Sequence, residues 1–263
     1  RRVLFRSINT REAGFRGEEA QKGAYQPMPL GPALQSEFGD IEAFTRVRDW
    51  GGFSQSPTGL SEENFNFVDP DFFKIFSFQL LKGRPETAFD GPQKVVLSEK
   101  TAQKLFGNTD PIGQTLQLKV FDSFEPFVVS GIMKNAPGNS SLRPEILLPF
   151  SRYQASPRGQ GELNRWSRVS FPTYVRLREG ATLHQKPELL QQFYTRHSPN
   201  DESNARQKGW WSEARSPFGY ELQPIADMRH DISVQSDAVN PRYSWILLGI
   251  GILVLLIACA NFT

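Results

Sequence analysis

Residues 95–107 read Val95-Val96-Leu97-Ser98-Glu99-Lys100-Thr101-Ala102-Gln103-Lys104-Leu105-Phe106-Gly107, and this stretch decides the fold class. Three consecutive branched apolar residues make a short buried strand. Ser98 follows at the position of a helix cap, and Glu99 lies in the first turn, where the positive helix end favours an acid. Ala102, Leu105 and Phe106 then return on one face. Gly107 closes the helix, because a terminal residue at positive φ costs glycine little. A strand that feeds straight into a capped helix is a unit of a mixed α+β fold.

Working upstream, Val68-Asp69-Pro70-Asp71-Phe72-Phe73-Lys74-Ile75-Phe76 reads as a second helix start. Asp69 is placed to cap, Pro70 suits the first helical position, and Phe72, Phe73 and Phe76 form an apolar face. Further back, Ala33–Phe38 predicts a short helix stopped by Gly39. Ile41–Arg48 alternates like a half-buried strand that ends at Gly51-Gly52. The polar, glycine-rich opening from Ile8 to Pro29 is assigned no element. Downstream, Asp110-Pro111-Ile112-Gly113 is a turn into the alternating strand Thr115–Val120. Phe127–Met133 is a strand, residues 154–165 an exposed loop, and Thr173–Leu177 another strand. A helix carries Leu189, Leu190, Phe193 and Tyr194. Ser198–Lys208 is expected to be flexible, and Tyr220–Ile225 to be the last strand.

The 263 residues carry 30 Lys+Arg against 28 Asp+Glu, with 21 Phe and one Cys. That is enough chain for one or two domains with a sizeable core. A single cysteine excludes an internal disulfide and a Cys-based zinc cluster. Residues 1–7, Arg-Arg-Val-Leu-Phe-Arg-Ser, are the in-frame translation of a short-read sequencing adapter, so they are set aside as a scar. Without Arg1, Arg2 and Arg6 the balance is 27 basic to 28 acidic, a net charge of −1. Nucleic-acid binding loses its electrostatic basis at that balance. At the other end, Trp245–Ala260 holds no charged residue. At 1.5 Å per residue it reaches roughly 24 Å, short of a full hydrocarbon core. The segment is therefore expected to be a membrane helix cut in mid-span, with a buried helix of a water-soluble protein as the competing reading.

Catalytic constellations are sparse. Asp69 and Asp71 could pair for acid–base work, but helix capping accounts for both. His184, His197 and His230 are scattered, without the i,i+4 spacing of a metal site. There is no Gly-x-Ser-x-Gly elbow and no phosphate-binding P-loop, and Ser98 reads as a cap rather than a nucleophile. Cys259 lies in the apolar stretch, where a thiolate is disfavoured. Trp210-Trp211, with Tyr220 downstream, could stack on a sugar; half-buried packing is the commoner role of such a pair. No cofactor and no metal is expected.

The order of these motifs resembles a known family. Val68–Phe76 with Leu80-Leu81-Lys82-Gly83, then Val95–Lys100 with Leu105-Phe106-Gly107 and Asp110-Pro111-Ile112-Gly113, are similar to FtsX-like ABC transporter permeases with a MacB-like periplasmic core domain, of the type found in Bacteroidetes. Gly131–Pro137, Leu222–His230 and Leu256–Phe262 match the same family in the same order, although Met228-Arg229 departs from its usual Ile.

The resemblance implies a porter-like βαβ subdomain interrupted by an inserted, mainly β subdomain, followed by a truncated transmembrane helix. Residues 8–82 would form the first porter-like half, 83–166 the inserted part, 167–242 the second half and 243–263 the opening of the membrane helix. It implies a fragment of a bacterial inner-membrane protein with residues 8–242 extracytoplasmic. It further implies a separate cytoplasmic ABC ATPase subunit, a second permease copy in a dimer, and a periplasmic adaptor as partners. ATP-driven motion would reach the domain through the connection to the membrane, with Pro241, Arg242 and Tyr243 as the coupling point. Two other readings stay open: a membrane-anchored regulator of a periplasmic hydrolase or sensor kinase, and a glycan-binding module resting on Trp210 and Trp211.

Overall fold

One long strand organises the sheet. The computed structural model describes residues 5–12, 21–56, 59–138, 140–209, 218–228 and 241–261. The chain opens with β1 (Phe5–Glu12), β2 (Gln21–Gly23), β3 (Tyr25–Pro27), α1 (Leu30–Glu37), β4 (Ile41–Ser56) and β5 (Gly59–Val68). It continues through α2 (Phe72–Ile75), β6 (Leu80–Lys82), β7 (Lys94–Ser98), α3 (Glu99–Phe106), β8 (Thr115–Lys119), β9 (Phe124–Met133) and β10 (Ile146–Pro149). There follow α4 (Phe150–Gln154), α5 (Pro157–Glu162), β11 (Val169–Leu177), α6 (Pro187–His197), α7 (Asp201–Gln207), β12 (Gly219–Pro224), α8 (Ile225–Met228) and α9 (Pro241–Asn261).

The strand order is β12-β1-β11-β4-β5-β10-β7-β9-β6, with β2 on β1, β3 on β11, and β8 joining β4 to β9. β4 changes partner along its length. Ile41–Arg46 pairs with β11, and Val47–Ser56 pairs with β5. Two pairs are parallel, β5 with β10 and β7 with β9. Parallel pairing needs a crossover, and α3 with β8 supplies it between β7 and β9.

The apolar runs in the middle of the sheet follow from burial on both faces. Val95 and Leu97 point into one core with Phe67, Phe127, Ile146 and Leu148. Val96 points into the opposite core with Val68, Phe72, Met133 and Leu147. Successive residues of a strand face opposite sides, so an unbroken apolar run is what two buried faces demand. A third core lies between α1, α6, β11 and β12, where Leu30, Leu34, Val175, Leu190, Phe193 and Tyr220 meet. β5 and β6, which precede residue 83, pair with β10 and β9 beyond it.

The α3 unit has the geometry its sequence dictates. Ser98 Oγ accepts the Thr101 N–H, and Gly107 ends the helix at φ 58. Other expectations need correction. β4 does not stop at Gly51-Gly52: a Cβ on Gly52 would lie 2.3 Å from the Lys119 carbonyl oxygen, so the glycine admits β8 rather than ending the strand. Residues 154–165 are not a loop, since Ser156 caps α5 by accepting from Gly159 N and Pro157 occupies its first turn. Within Ser198–Lys208, Asp201–Gln207 is helical. The opening segment forms β1, and its backbone pairing includes Phe5–Ser7, which any residue type can supply.

In α9 the described side chains from Ile246 to Leu255 are exposed. Among the described residues, no helix is long and apolar enough to cross a membrane.

Candidate functional site

Where β4 passes from β11 to β5, its side chains build two features in succession. The first is a buried ion pair. Arg46 is the last β4 residue paired with β11, and Asp69 follows the end of β5. Asp69 Oδ2 accepts both the backbone N–H and the Nε–H of Arg46, at 2.7 and 2.9 Å, and Oδ1 accepts from Nη2 at 2.6 Å. The remaining Arg46 fork donates to the Met28 carbonyl at 2.9 Å, and the guanidinium lies 3.9 Å from the centre of the Phe150 ring. The two side chains are 3% and 8% exposed. Four segments therefore meet at one guanidinium: the approach to α1, β4, the end of β5 and the start of α4.

This overturns the capping role expected for Asp69. α2 begins three residues later, behind Asp71, and no side chain caps it. The Asp69 carboxylate is engaged by Arg46, and Pro70 lies in the intervening turn rather than at the first helical position. A carboxylate offered a bidentate guanidinium in a dry site forms the stronger, charge-assisted pair.

The second feature is a cleft two residues further along β4. Arg48 points to the same face as Arg46 and lies against the rings of Phe171, Trp50 and Tyr153 at 5.5, 5.7 and 5.9 Å. Its Nη1 donates to the Ser170 carbonyl at 2.9 Å, while its Nε, also shielded from solvent, has no hydrogen-bond partner. With Arg158, Arg165, Arg168, Tyr25 and Ser167 it lines an open cleft of about 710 Å³. Arg158 also borders a neighbouring cleft of about 420 Å³ walled by Trp50, Phe53, Phe121 and Lys119.

One carboxylate serves this group. Glu162, 3% exposed, holds Arg168 at 2.7 Å and Arg158 at 3.6 Å, and its other oxygen accepts the Tyr153 hydroxyl at 3.1 Å. Burial, and then the charge of Glu162, push the Tyr153 phenol above its ordinary pKa, so it remains a neutral donor. α5 can deliver Arg158 only because residue 159 is glycine. A Cβ there would stand 2.1 Å from the Tyr153 carbonyl oxygen.

Sequence patterning does not reveal this cleft. Its one local signal is Arg158, Arg165 and Arg168 with Glu162 as the sole acid between them; Arg48 comes from a distant strand. Of the residues singled out from sequence, Asp69 and Pro70 lie at the ion-pair junction, and Ser98 and Gly107 bound α3. Trp210 and Trp211 lie outside the described residues, as does His230. Pro241, Arg242 and Tyr243 open α9 in backbone; their side chains lie outside what is described.

The family model for the MacB-like periplasmic core domain matches residues 6–192. The chain belongs to that family. The fold agrees: a crystallised domain of a protein assigned as a permease, from Porphyromonas gingivalis, superposes with a TM-score of 0.65 at 23% identity, covering 86% of this chain and 92% of that one. The periplasmic region of MacB from Actinobacillus actinomycetemcomitans is similar with a TM-score of 0.52 at 18% identity, covering 80% of this chain and 94% of that one. No curated protein matches the chain in sequence. For a MacB-like core domain, the matched region holds both features above, the Arg46–Asp69 junction and the arginine cleft.

Proposed function

We propose that this MacB-like core domain is the extracytoplasmic part of an ABC-transporter permease that passes ATP-driven motion to a substrate outside the inner membrane. The observation that carries the reading is the family membership together with the helix that succeeds the domain in the chain. After β12 and α8 comes α9, whose described side chains from Ile246 to Ala260 are apolar and exposed; Leu247, for example, is 68% exposed. A helix without a polar stripe needs an apolar surrounding, and lipid supplies it. In this reading α9 is the start of a transmembrane helix, residues 8–242 are extracytoplasmic, and Pro241–Tyr243 is the coupling point.

The chain is divided as the resemblance implies, with residues 8–82 and 167–242 forming the porter-like part and 83–166 the inserted part. ATP hydrolysis falls to a separate cytoplasmic subunit, and the working unit is a dimer of permeases with a periplasmic adaptor as its further partner. The domain's own contribution is mechanical. Displacement applied at α9 reaches β12 at the sheet edge and crosses β1 and β11 to β4. The Arg46–Asp69 clamp there keeps the two stretches of β4 from turning independently.

A flexible Gly-Ser linker inserted between Asn240 and Pro241 of the full-length permease tests this. With spin labels on Ser203→Cys in a Cys259→Ala background, the reconstituted complex should show an ATP-dependent change in label separation. The linker should abolish that change while hydrolysis continues and the domain remains folded. An unchanged response with the linker in place would refute the mechanical reading.

A further inference from the structure

We propose that the arginine cleft on β4, α5 and the segment entering β11 is a binding site for a phosphate monoester group. Four guanidinium groups line it, from Arg48, Arg158, Arg165 and Arg168, against the one buried carboxylate of Glu162. The chain as a whole is close to neutral, so this excess of positive charge is local. Like charges gathered in one concavity repel one another, and an anion relieves that repulsion as well as adding its own attraction.

Donors remain for such an anion. Of the Arg48 fork only Nη1 donates, to the Ser170 carbonyl, which leaves Nη2 without a hydrogen bond among the described residues, and the Arg158 contact to Glu162 is loose at 3.6 Å. Arg165 has no ion-pair partner among the described residues and projects into solvent. The donors are also positioned in advance. Three aromatic rings lie within 5.9 Å of the Arg48 guanidinium, and Trp50 lies 5.8 Å from that of Arg158. Cation–π contacts of this kind hold a guanidinium in place without consuming its N–H groups. Binding to groups already held in place loses less entropy.

The distribution of charge favours a compact group over an extended polyanion. Among the residues lining the two clefts, all four arginines border the larger one, and the other adds a single lysine. Beyond Arg158 the neighbouring cleft turns apolar, with Trp50, Phe53 and Phe121, and its lining adds one lysine, Lys119, and one acid, Asp122. A tetrahedral phosphate with three terminal oxygens matches several guanidinium forks at once. A cleft of about 710 Å³ also leaves room for what the phosphate is attached to. That body is either a soluble metabolite or the apolar part of a lipid lying against Trp50 and Phe121.

Calorimetric titration of the 263-residue chain in zwitterionic nanodiscs tests the site, with inorganic phosphate as one probe and dihexanoyl phosphatidic acid as the other. The expected result is saturable binding that weakens as salt is raised, and that falls about tenfold in Arg165→Gln and further in Arg165→Gln/Arg168→Gln. Lys134→Gln, an exposed charge outside both clefts, should leave it unchanged. Arg165→Gln removes no ion pair among the described residues, so its loss of affinity is not a folding defect. Tighter binding of the phosphatidic acid assigns the phosphate to a lipid, and equal binding assigns it to a soluble compound. Failure of both probes to bind, or equal binding to the parent chain and the double variant, would overturn the proposal. Neither outcome bears on the permease reading, which the linker experiment tests separately.

Discussion

Asp69→Asn isolates the charge of the buried pair with little change of shape. Asp69 accepts three hydrogen bonds from Arg46, two of them from the guanidinium, and an amide can accept at only one of its two terminal atoms. The Arg46 guanidinium would keep its charge at 3% exposure with only neutral groups for compensation: the amide oxygen, the Met28 carbonyl and the rings of Phe150 and Phe44. Removing one partner of a buried pair typically costs about 3–5 kcal/mol, most of it for the stranded charge. For a domain of this size each kcal/mol shifts the melting temperature by roughly 2–4 °C, so a fall of roughly 6–20 °C is expected. Urea unfolding followed by tryptophan fluorescence, in a detergent that keeps α9 in solution, gives the free energy directly. The double change Arg46→Met/Asp69→Leu should recover much of the loss, because both desolvation costs disappear together. A loss below about 0.5 kcal/mol for Asp69→Asn, the scale of a surface substitution, would refute the assignment of Arg46–Asp69 as a dry clamp.

Two further outcomes rest on local geometry. Gly159→Ala should destabilise the domain by about 1–3 kcal/mol, because the backbone clash with Tyr153 outweighs the roughly 1 kcal/mol that alanine gains in a helix; stabilisation in urea would contradict the close approach. His197, stacked 3.9 Å from Trp166, has its pKa lowered by burial and then by the neighbouring Arg196. Its unfolded form takes up a proton near pH 6.5, before the folded form does, so stability is full above that pH and is lost as the pH falls through the lowered value. His197→Gln should flatten the pH dependence of unfolding in that window, and an unchanged slope would assign the acid sensitivity to other groups.

The parts of the fold legible in the sequence are those set by residues close together in it. Ser98, the Val95–Leu97 run and Gly107 define β7 and α3 within a single short stretch, and Leu189–Tyr194 and Tyr220 mark α6 and β12 by their own periodicity. The features that sequence patterning misassigns depend on distant partners. Asp69 in a Val-Asp-Pro-Asp run suits a cap as well as an ion pair, and the group that decides between them, Arg46, lies 23 residues away. Gly51-Gly52 has the composition of a strand terminus; only β8, arriving from residue 115 onward, makes glycine a packing requirement there. The short helices α4 and α5 carry too few residues for a periodic signal. The arginine cleft is invisible for the same reason, since the alternation of β4 says that Arg46, Arg48 and Trp50 share a face and nothing about what meets it.

That shared face ties the two features together physically. Arg46 lies on Phe150 and Arg48 on Phe171 and Tyr153, and these three rings pack on one another at centroid distances of 5.3–5.7 Å. A close-packed cluster transmits displacement because it has few alternative arrangements. Occupation of the cleft would hold Arg48 against these rings and Arg158 against Trp50, which itself packs on Tyr153, and so stiffen the wall on which Arg46 rests. One of the residues that would bind an anion, Arg48, thus stands on the same strand, two residues from the change of partner, as the residue that would carry force between the two stretches of β4. In a domain whose proposed work is to couple motion to a substrate, a binding cleft on that strand can load the mechanical path directly, without a separate linkage through the sheet.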